Sequence, residues 1–314
     1  MRKIKSSFAL GLLVIVAVLG ISCQKSGNES ASAQGKKIGV LLVNHGSRSA
    51  TWRQALLDLE TKVKDSITAS GSIAGTKTAF MEYTEPSIAT RLKEFDAEGY
   101  SDVIIVPIFL TVSSHSFDDI PTIIGQKEDP QSLETLKIEK IERYTPKAKV
   151  SIAPLLDFAG VLKENILQRT KALSKESVKE GLVMIAYGDA TYMKEWTELL
   201  TDVGKYVQQN AGIDNFSYGW CGHVAHYNPD STTVAIKRVL SKKEKAVVIP
   251  VLVAHDEMFQ VKIIGDGIAN LGKAKEKVSY VPDSILPDAR IEKWVIDISL
   301  QYANKILHPE VAAK

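Results

Sequence analysis

From Ile38 to Val43 the chain runs through an unbroken apolar stretch that stops at Asn44-His45-Gly46, the pattern of a short strand buried on both faces and ended by a turn. Trp52, Leu56, Leu59 and Val63 then recur at helical spacing, with Ser47 or Ser49 placed to cap the start. Thr78 to Tyr83 predicts a second strand. Pro86 stands where a first helical residue belongs, and Ile88, Leu92 and Phe95 share one face behind it. Val103 to Leu110 predicts a third strand, followed by the polar loop Ser113-Ser114-His115-Ser116 and by Asp118-Asp119-Ile120-Pro121. A fourth strand around Val150 to Ile152 precedes a helical pattern from Leu162 to Ala172. Strands alternating with helices predict a parallel sheet covered on both sides.

This order repeats. Gly181 to Tyr187 followed by Gly188-Asp189 mirrors Ile38 to His45 followed by Gly46-Ser47, and Trp196, Leu199 and Leu200 match the first helix. Asn228-Pro229 matches Glu85-Pro86. Ala246 to Val253 mirrors Val103 to Leu110, each with one internal proline, and Val281-Pro282 echoes Ala153-Pro154. Landmarks in one order point to an internal duplication. The fold class predicted is α/β, two tandem doubly wound parallel-sheet domains, with residues 37–175 as the first repeat and 176–314 as the second.

The N-terminus reads differently. Arg2, Lys3 and Lys5 precede an apolar stretch from Phe8 to Ile21, then Ser22 and Cys23, too short to span a bilayer comfortably. A small residue directly before a cysteine at that point resembles a bacterial lipoprotein cleavage site. It implies a signal peptide over residues 1–23, Cys23 as the lipid anchor, and export to the periplasmic side or cell surface of a bacterial membrane. Residues 24–36, polar throughout, then predict a flexible tether. With Cys23 lipidated only Cys221 remains, so no intramolecular disulfide forms. A net charge of +2, from 39 basic and 37 acidic residues, leaves no basic surplus for a phosphate backbone, and nucleic acid is excluded as an expected partner. No oligomeric state is legible in this composition.

Ligands of open parallel sheets bind beyond the carboxyl ends of the strands, which directs attention to His45 after the first strand, Glu82 near the end of the second and His115 in the loop after the third. Taken singly, each has an ordinary explanation: a turn histidine bonded to backbone, a surface carboxylate ahead of a helix, a polar loop residue. Their shared topological position is what joins them. Two imidazoles and a carboxylate suit divalent cobalt, iron, nickel or zinc.

The segments Leu41 to Arg48, Ala79 to Ala89 and Val106 to Pro121 resemble the sirohydrochlorin chelatase family of the CbiX type, related in fold to ferrochelatase. The similarity covers the first repeat. It implies that His45, Glu82 and His115 are the catalytic and metal-binding residues and that Ser47, Arg48, Ser113 and Ser114 lie near a tetrapyrrole. Arg48 and the N–H groups of the following helix start would meet ring carboxylates. The implied reaction is insertion of a divalent metal, cobalt favoured and iron or nickel admitted, into sirohydrochlorin or a relative. The metal is then a substrate, and no permanently bound cofactor is required.

The second repeat departs from this set. Tyr187 takes the place of His45, Ala225 falls near that of Glu82 and Met258 near that of His115, so no equivalent site is expected. His223, His226 and His255 are candidates for a second metal site, a relay for incoming metal or an axial ligand to a haem-like ring, against the favoured reading of ordinary polar loop residues. Export sits awkwardly with tetrapyrrole synthesis. Two alternatives are therefore a tetrapyrrole-, haem- or metal-binding lipoprotein without turnover, and a two-domain solute-binding lipoprotein, the latter disfavoured by the tandem repeat.

Overall fold

Six buried apolar or glycine positions in succession after the tether can satisfy their backbone only by pairing on both sides, and Ile38–Asn44 does so as the inner strand β1. The computed structural model describes residues 35–156 and 160–312; the signal segment, Cys23 and most of the tether lie outside the described residues. After β1 come α1 (Ala50–Thr68), β2 (Gly75–Phe80), α2 (Ile88–Ala97), β3 (Asp102–Pro107), α3 (Ile120–Ile123), α4 (Pro130–Ile138), β4 (Lys149–Ile152) and α5 (Val161–Leu173). The second series is β5 (Glu180–Ala186), α6 (Met193–Ala211), β6 (Phe216–Trp220), α7 (Asp230–Leu240), β7 (Lys245–Val251), α8 (Gly265–Ala269), β8 (Val278–Tyr280), α9 (Ala289–Leu307) and α10 (Pro309–Ala312). Ser49 caps α1 by accepting from Trp52 N. Among the described residues no helix is long and apolar enough to cross a membrane.

Both sheets are parallel and four-stranded, ordered β2-β1-β3-β4 and β6-β5-β7-β8. The duplication extends to register: Val43 faces Pro107 and Ile185 faces Pro250, so the two internal prolines occupy one structural position. Proline is tolerated there because Ile108 N turns toward β1, bonding Val43 O, while pairing with β4 has already passed Ile105. β2 begins and ends three residues earlier than the pattern of Thr78 to Tyr83 predicts. Its hydrogen bonding then continues irregularly, Met81 N to Asn44 O and Glu82 N to His45 O, both 2.9 Å.

The repeats exchange their last helices. α5 packs on α6 and β7 of the second series, whereas α9, an amphipathic helix missing from the predicted elements, packs on α1 and β3 of the first. One continuous core consequently fills the space between the sheets, from Val40, Leu42 and Ile104 through Leu59, Ile166, Leu200 and Ile291 to Met184 and Ile249. Smaller cores cover the outer faces, Leu92, Phe95 and Ile123 on one sheet and Ile236, Val239 and Ile264 on the other. Arg169 of α5 reinforces the exchange by donating to Pro250 O at 2.9 Å and through Nε to Asp283 at 3.0 Å.

A shared core couples the repeats thermodynamically. Ile291→Ala, at a fully buried position on α9, is expected to cost about 2–5 kcal/mol. Urea unfolding followed by hydrogen exchange in β1 and β5 should show both sheets protected and lost in one transition. Separate midpoints for the two strands would contradict the shared core.

Candidate metal centre

β1 and β3 are adjacent while β2 and β4 lie outside them, so the connections leave this pair in opposite directions and open a crevice at its carboxyl end. His45 follows β1 and His115 follows β3 at that crevice. The turn after β1 is fixed by Asn44, whose side chain donates to Ala79 O at 3.1 Å and accepts from Gly46 N at 3.2 Å. Gly46 holds φ at 93°, and a Cβ there would lie 2.2 Å from Glu82 O. Only glycine lets the two segments approach closely enough for Glu82 N to reach His45 O.

His115 sits in a π-helical turn, Ser114–Asp119, whose start is a capping box between Ser113 and Ser116. Four residues on, buried Asp119 accepts from His115 Nδ1 at 2.8 Å. On the other imidazole, His45 Nδ1 lies 2.9 Å from Gly46 O, which can only accept. Both Nδ1 atoms therefore carry a proton, which leaves the two Nε2 atoms as the ones that can face a metal. Those two Nε2 atoms are 3.2 Å apart, and Glu82 Oε2 lies 4.0 Å from that of His45. That separation is the length of an N–H···N hydrogen bond, so a shared proton, or a metal ion in its place, joins the two nitrogens. An ion held at the usual ~2.0–2.1 Å from each nitrogen would subtend roughly 100° across this 3.2 Å separation, within reach of tetrahedral or octahedral coordination.

Burial and the neighbouring His115 push His45 down to about 4, keeping it a neutral ligand at ordinary pH. For His115, burial opposes charge, but the Asp119 hydrogen bond and the Glu82 carboxylate outweigh it and hold its pKa above the ordinary value. The side chains of His45 and His115 remain 27% and 24% exposed, so the centre is open to a ligand arriving from the crevice. Among the described residues this is the one group of three His, Cys, Asp or Glu side chains whose donor atoms cluster, all within 4.8 Å.

The remaining predicted residues divide. Arg48 is exposed, with its guanidinium 5.0 Å from the Tyr83 ring centre at the crevice rim. Ser113 is buried and its hydroxyl is engaged in the capping box. Ser47 Oγ donates to Asp256 Oδ2 at 2.8 Å, and Ser114 donates through N and Oγ to Asp189 Oδ2 at 3.0 and 3.1 Å. Both contacts cross from first to second repeat, so these serines pin the walls of the crevice together. Sequence reasoning named Asp189 and Asp256 for no such role. It also passed over Asp119, although an acid four residues after a loop histidine was a readable signal. Tyr83, directly after Glu82, was missed too: it is half-exposed with φ at 67°, a left-handed conformation that costs a bulky residue about 1–2 kcal/mol.

Of the second-repeat histidines, His255 donates to Pro282 O at 2.7 Å and His223 lies with its ring 5.5 Å from Tyr187, and among the described residues neither these nor His226 belongs to a cluster of three candidate ligands. The register corrects one equivalence. Gly222 N bonds Tyr187 O as Glu82 N bonds His45 O, so Gly222 and not Ala225 holds the place of Glu82; the three-residue displacement of β2 caused the mismatch.

Residues 39–173 match the CbiX family model. The sirohydrochlorin cobaltochelatase of Methanococcoides burtonii is 33% identical over 99 residues, 32% of this chain and 71% of that one. The chain belongs to the CbiX family. In fold it is similar to the sirohydrochlorin chelatase SirB from Bacillus subtilis subspecies spizizenii in complex with cobalt, at 15% identity and a TM-score of 0.59 over 86% of this chain and 96% of that one. SirB from Bacillus subtilis with Fe3+ superposes with a TM-score of 0.62 at 16% identity over the same shares of the two chains. The sequence match to CbiX proteins covers the first repeat, where the His45, Glu82 and His115 cluster lies, while the structural likeness extends over both.

Hydrogen bonds behind a metal-binding histidine commonly govern affinity by 10–100-fold. Asp119→Asn should weaken cobalt(II) binding by about that factor, His45→Ala and His115→Ala by more, and His255→Ala not at all. Isothermal titration with cobalt(II) measures each, and unchanged affinity in Asp119→Asn would remove its assigned role.

Proposed function

We propose that this CbiX-family chain inserts a divalent metal into sirohydrochlorin at the crevice of its first repeat. The observation that carries the reading is the pair of Nε2 atoms 3.2 Å apart, each ring fixed by a hydrogen bond on its far side, with the Glu82 carboxylate alongside. Three protein donors are enough to replace part of the ion's water shell and few enough to leave positions for ring nitrogens. They also let the ion go once the ring has taken it. The ring must give up two pyrrole protons as the metal enters, and a crevice lined by two imidazoles and a carboxylate holds the acceptors. Cobalt is the favoured substrate metal: imidazole suits it, the relative from Methanococcoides burtonii is a cobaltochelatase, and a structural neighbour is described with cobalt. Iron and nickel fit the same donors.

Mixing the purified chain with sirohydrochlorin and excess cobalt(II) and following absorbance tests the reaction. Many turnovers per chain are expected, lost in His45→Ala. A change that stops at one equivalent would replace the enzyme with a binding protein.

The reading also places the chain outside the cytoplasm on a lipid anchor at Cys23, supported by the basic residues Arg2, Lys3 and Lys5, the apolar stretch to Ile21 and the small Ser22. Palmitate labelling of cells expressing the chain should mark it, and Cys23→Ser should abolish the label. Equal labelling of both forms would refute the anchor.

A further inference from the structure

The second repeat keeps the backbone of the metal centre and replaces its ligands. Gly188, with φ at 84°, repeats Gly46, and Cys221 N and Gly222 N bond Ala186 O and Tyr187 O as Met81 N and Glu82 N bond Asn44 O and His45 O. Tyr187, Gly222 and Met258 stand where the first repeat has His45, Glu82 and His115. Gly222 is more than a lost carboxylate. A Cβ there would lie 2.8 Å from ring carbons of Tyr187, so the missing side chain is what gives that ring its place.

The result is an aromatic surface. Tyr187 Oη lies 3.2 Å from Tyr227 Oη, and the Phe259 ring is 5.5 Å from that of Tyr187 and 6.3 Å from that of Tyr227. Tyr227 and Met258 are 43% and 48% exposed. This surface adjoins the metal centre, where the Tyr83 ring is 5.9 Å from that of His45. The Ser47 to Asp256 bond fixes the loop carrying Met258 and Phe259 against the turn carrying His45.

Backbone conformation adds an independent observation. Among the described residues four other than glycine have positive φ, and two of them are the exposed tyrosines Tyr83 at 67° and Tyr227 at 55°. Glycine is the residue those conformations favour, and a large half-exposed aromatic held there is retained for its side chain.

We propose that Tyr83 and Tyr227, backed by Tyr187 and Phe259, form the platform on which the flat macrocycle stacks beside the His45, Glu82 and His115 centre, so that the ligand-free second repeat is the ring-binding half of the site. A conjugated ring of this size presents a broad π-face, and offset stacking on phenol rings is the contact such a surface provides. Arg48, exposed and with its guanidinium 5.0 Å from the Tyr83 ring centre, is placed for a ring carboxylate. This inference rests on the chelatase reading for the identity of the ring.

The test uses the full-length chain and metal-free sirohydrochlorin as the probe, with binding followed by quenching of intrinsic fluorescence. Tyr83→Gly and Tyr227→Gly should each weaken ring binding by about tenfold and raise KM for the ring more than they lower kcat. Both should melt at or above the wild-type temperature, because glycine relieves the left-handed backbone, and Tyr227→Gly should bind cobalt(II) as wild type does. Tyr227→Phe should keep the ring affinity. Wild-type ring affinity in the glycine variants, or a parallel loss of cobalt(II) affinity in Tyr227→Gly, overturns the platform. A wild-type chain that binds the ring through these tyrosines without turnover would sustain the platform and sink the chelatase reading; turnover undiminished in both glycine variants would do the reverse.

Discussion

The site depends on two imidazole Nε2 atoms being held 3.2 Å apart, within reach of a single ion. The hold comes from behind: Gly46 O and Asp119 each claim an Nδ1 proton and so turn both Nε2 atoms toward one point. Much of the local sequence serves that constraint. Asn44 shapes the turn, Gly46 removes the Cβ that would collide with Glu82 O, and the capping box of Ser113 and Ser116 starts the turn that brings Asp119 behind His115.

The crevice around that point is fixed by the joined repeats. Because α5 and α9 cross to opposite sheets, the apolar layer between the sheets belongs to neither repeat alone. Opening the crevice as a hinge would have to shear this layer, and close-packed interiors resist that. At the rim the ties are polar and reciprocal. The turn after β1 reaches the loop after β7 through Ser47 and Asp256, and the turn after β5 reaches the loop after β3 through Asp189 and Ser114. A pair of equivalent turns grips a pair of equivalent loops, the arrangement expected when two copies of one unit face each other about an approximate twofold axis. The serines that a family resemblance places beside the macrocycle thus have a prior engagement in holding its two walls together.

The α/β class, the duplication and the convergence of His45, Glu82 and His115 were legible because each depends on local pattern: apolar runs give strands, and strand ends give the site. The rest depends on relations that periodicity does not encode. Which sheet a helix covers is decided by tertiary packing, so the crossing of α5 and α9 left no trace in spacing, even though Ile291, Trp294, Val295 and Ile298 mark α9 as amphipathic. The match of Ala225 to Glu82 failed because β2 gives way to irregular pairing at Met81, and an irregular segment has no period to count. Tyr83 and Tyr227 were hidden for a similar reason, since left-handed backbone at an aromatic residue violates local propensity, and such violations concentrate where function overrides it.

That the two repeats differ at three ligand positions while keeping the same backbone follows from what a flat ring requires. A macrocycle admits one metal at its centre, and a second ligand set across the crevice would place another dication opposite the first, where the two charges repel through a partly dry medium. It would also compete for the ion that must leave its protein ligands. Aromatic side chains have neither defect. They contribute area and stacking contact without charge, and they leave the imidazoles as the strongest donors in the crevice. The change from Glu82 in one repeat to Gly222 in the other is the clearest case: the same backbone position holds a ligand where the metal is bound and holds nothing where a tyrosine ring must fit. Duplication supplies a rigid two-walled crevice, and loss of the second ligand set is what makes the two walls chemically different enough to hold a metal on one side and a ring on the other.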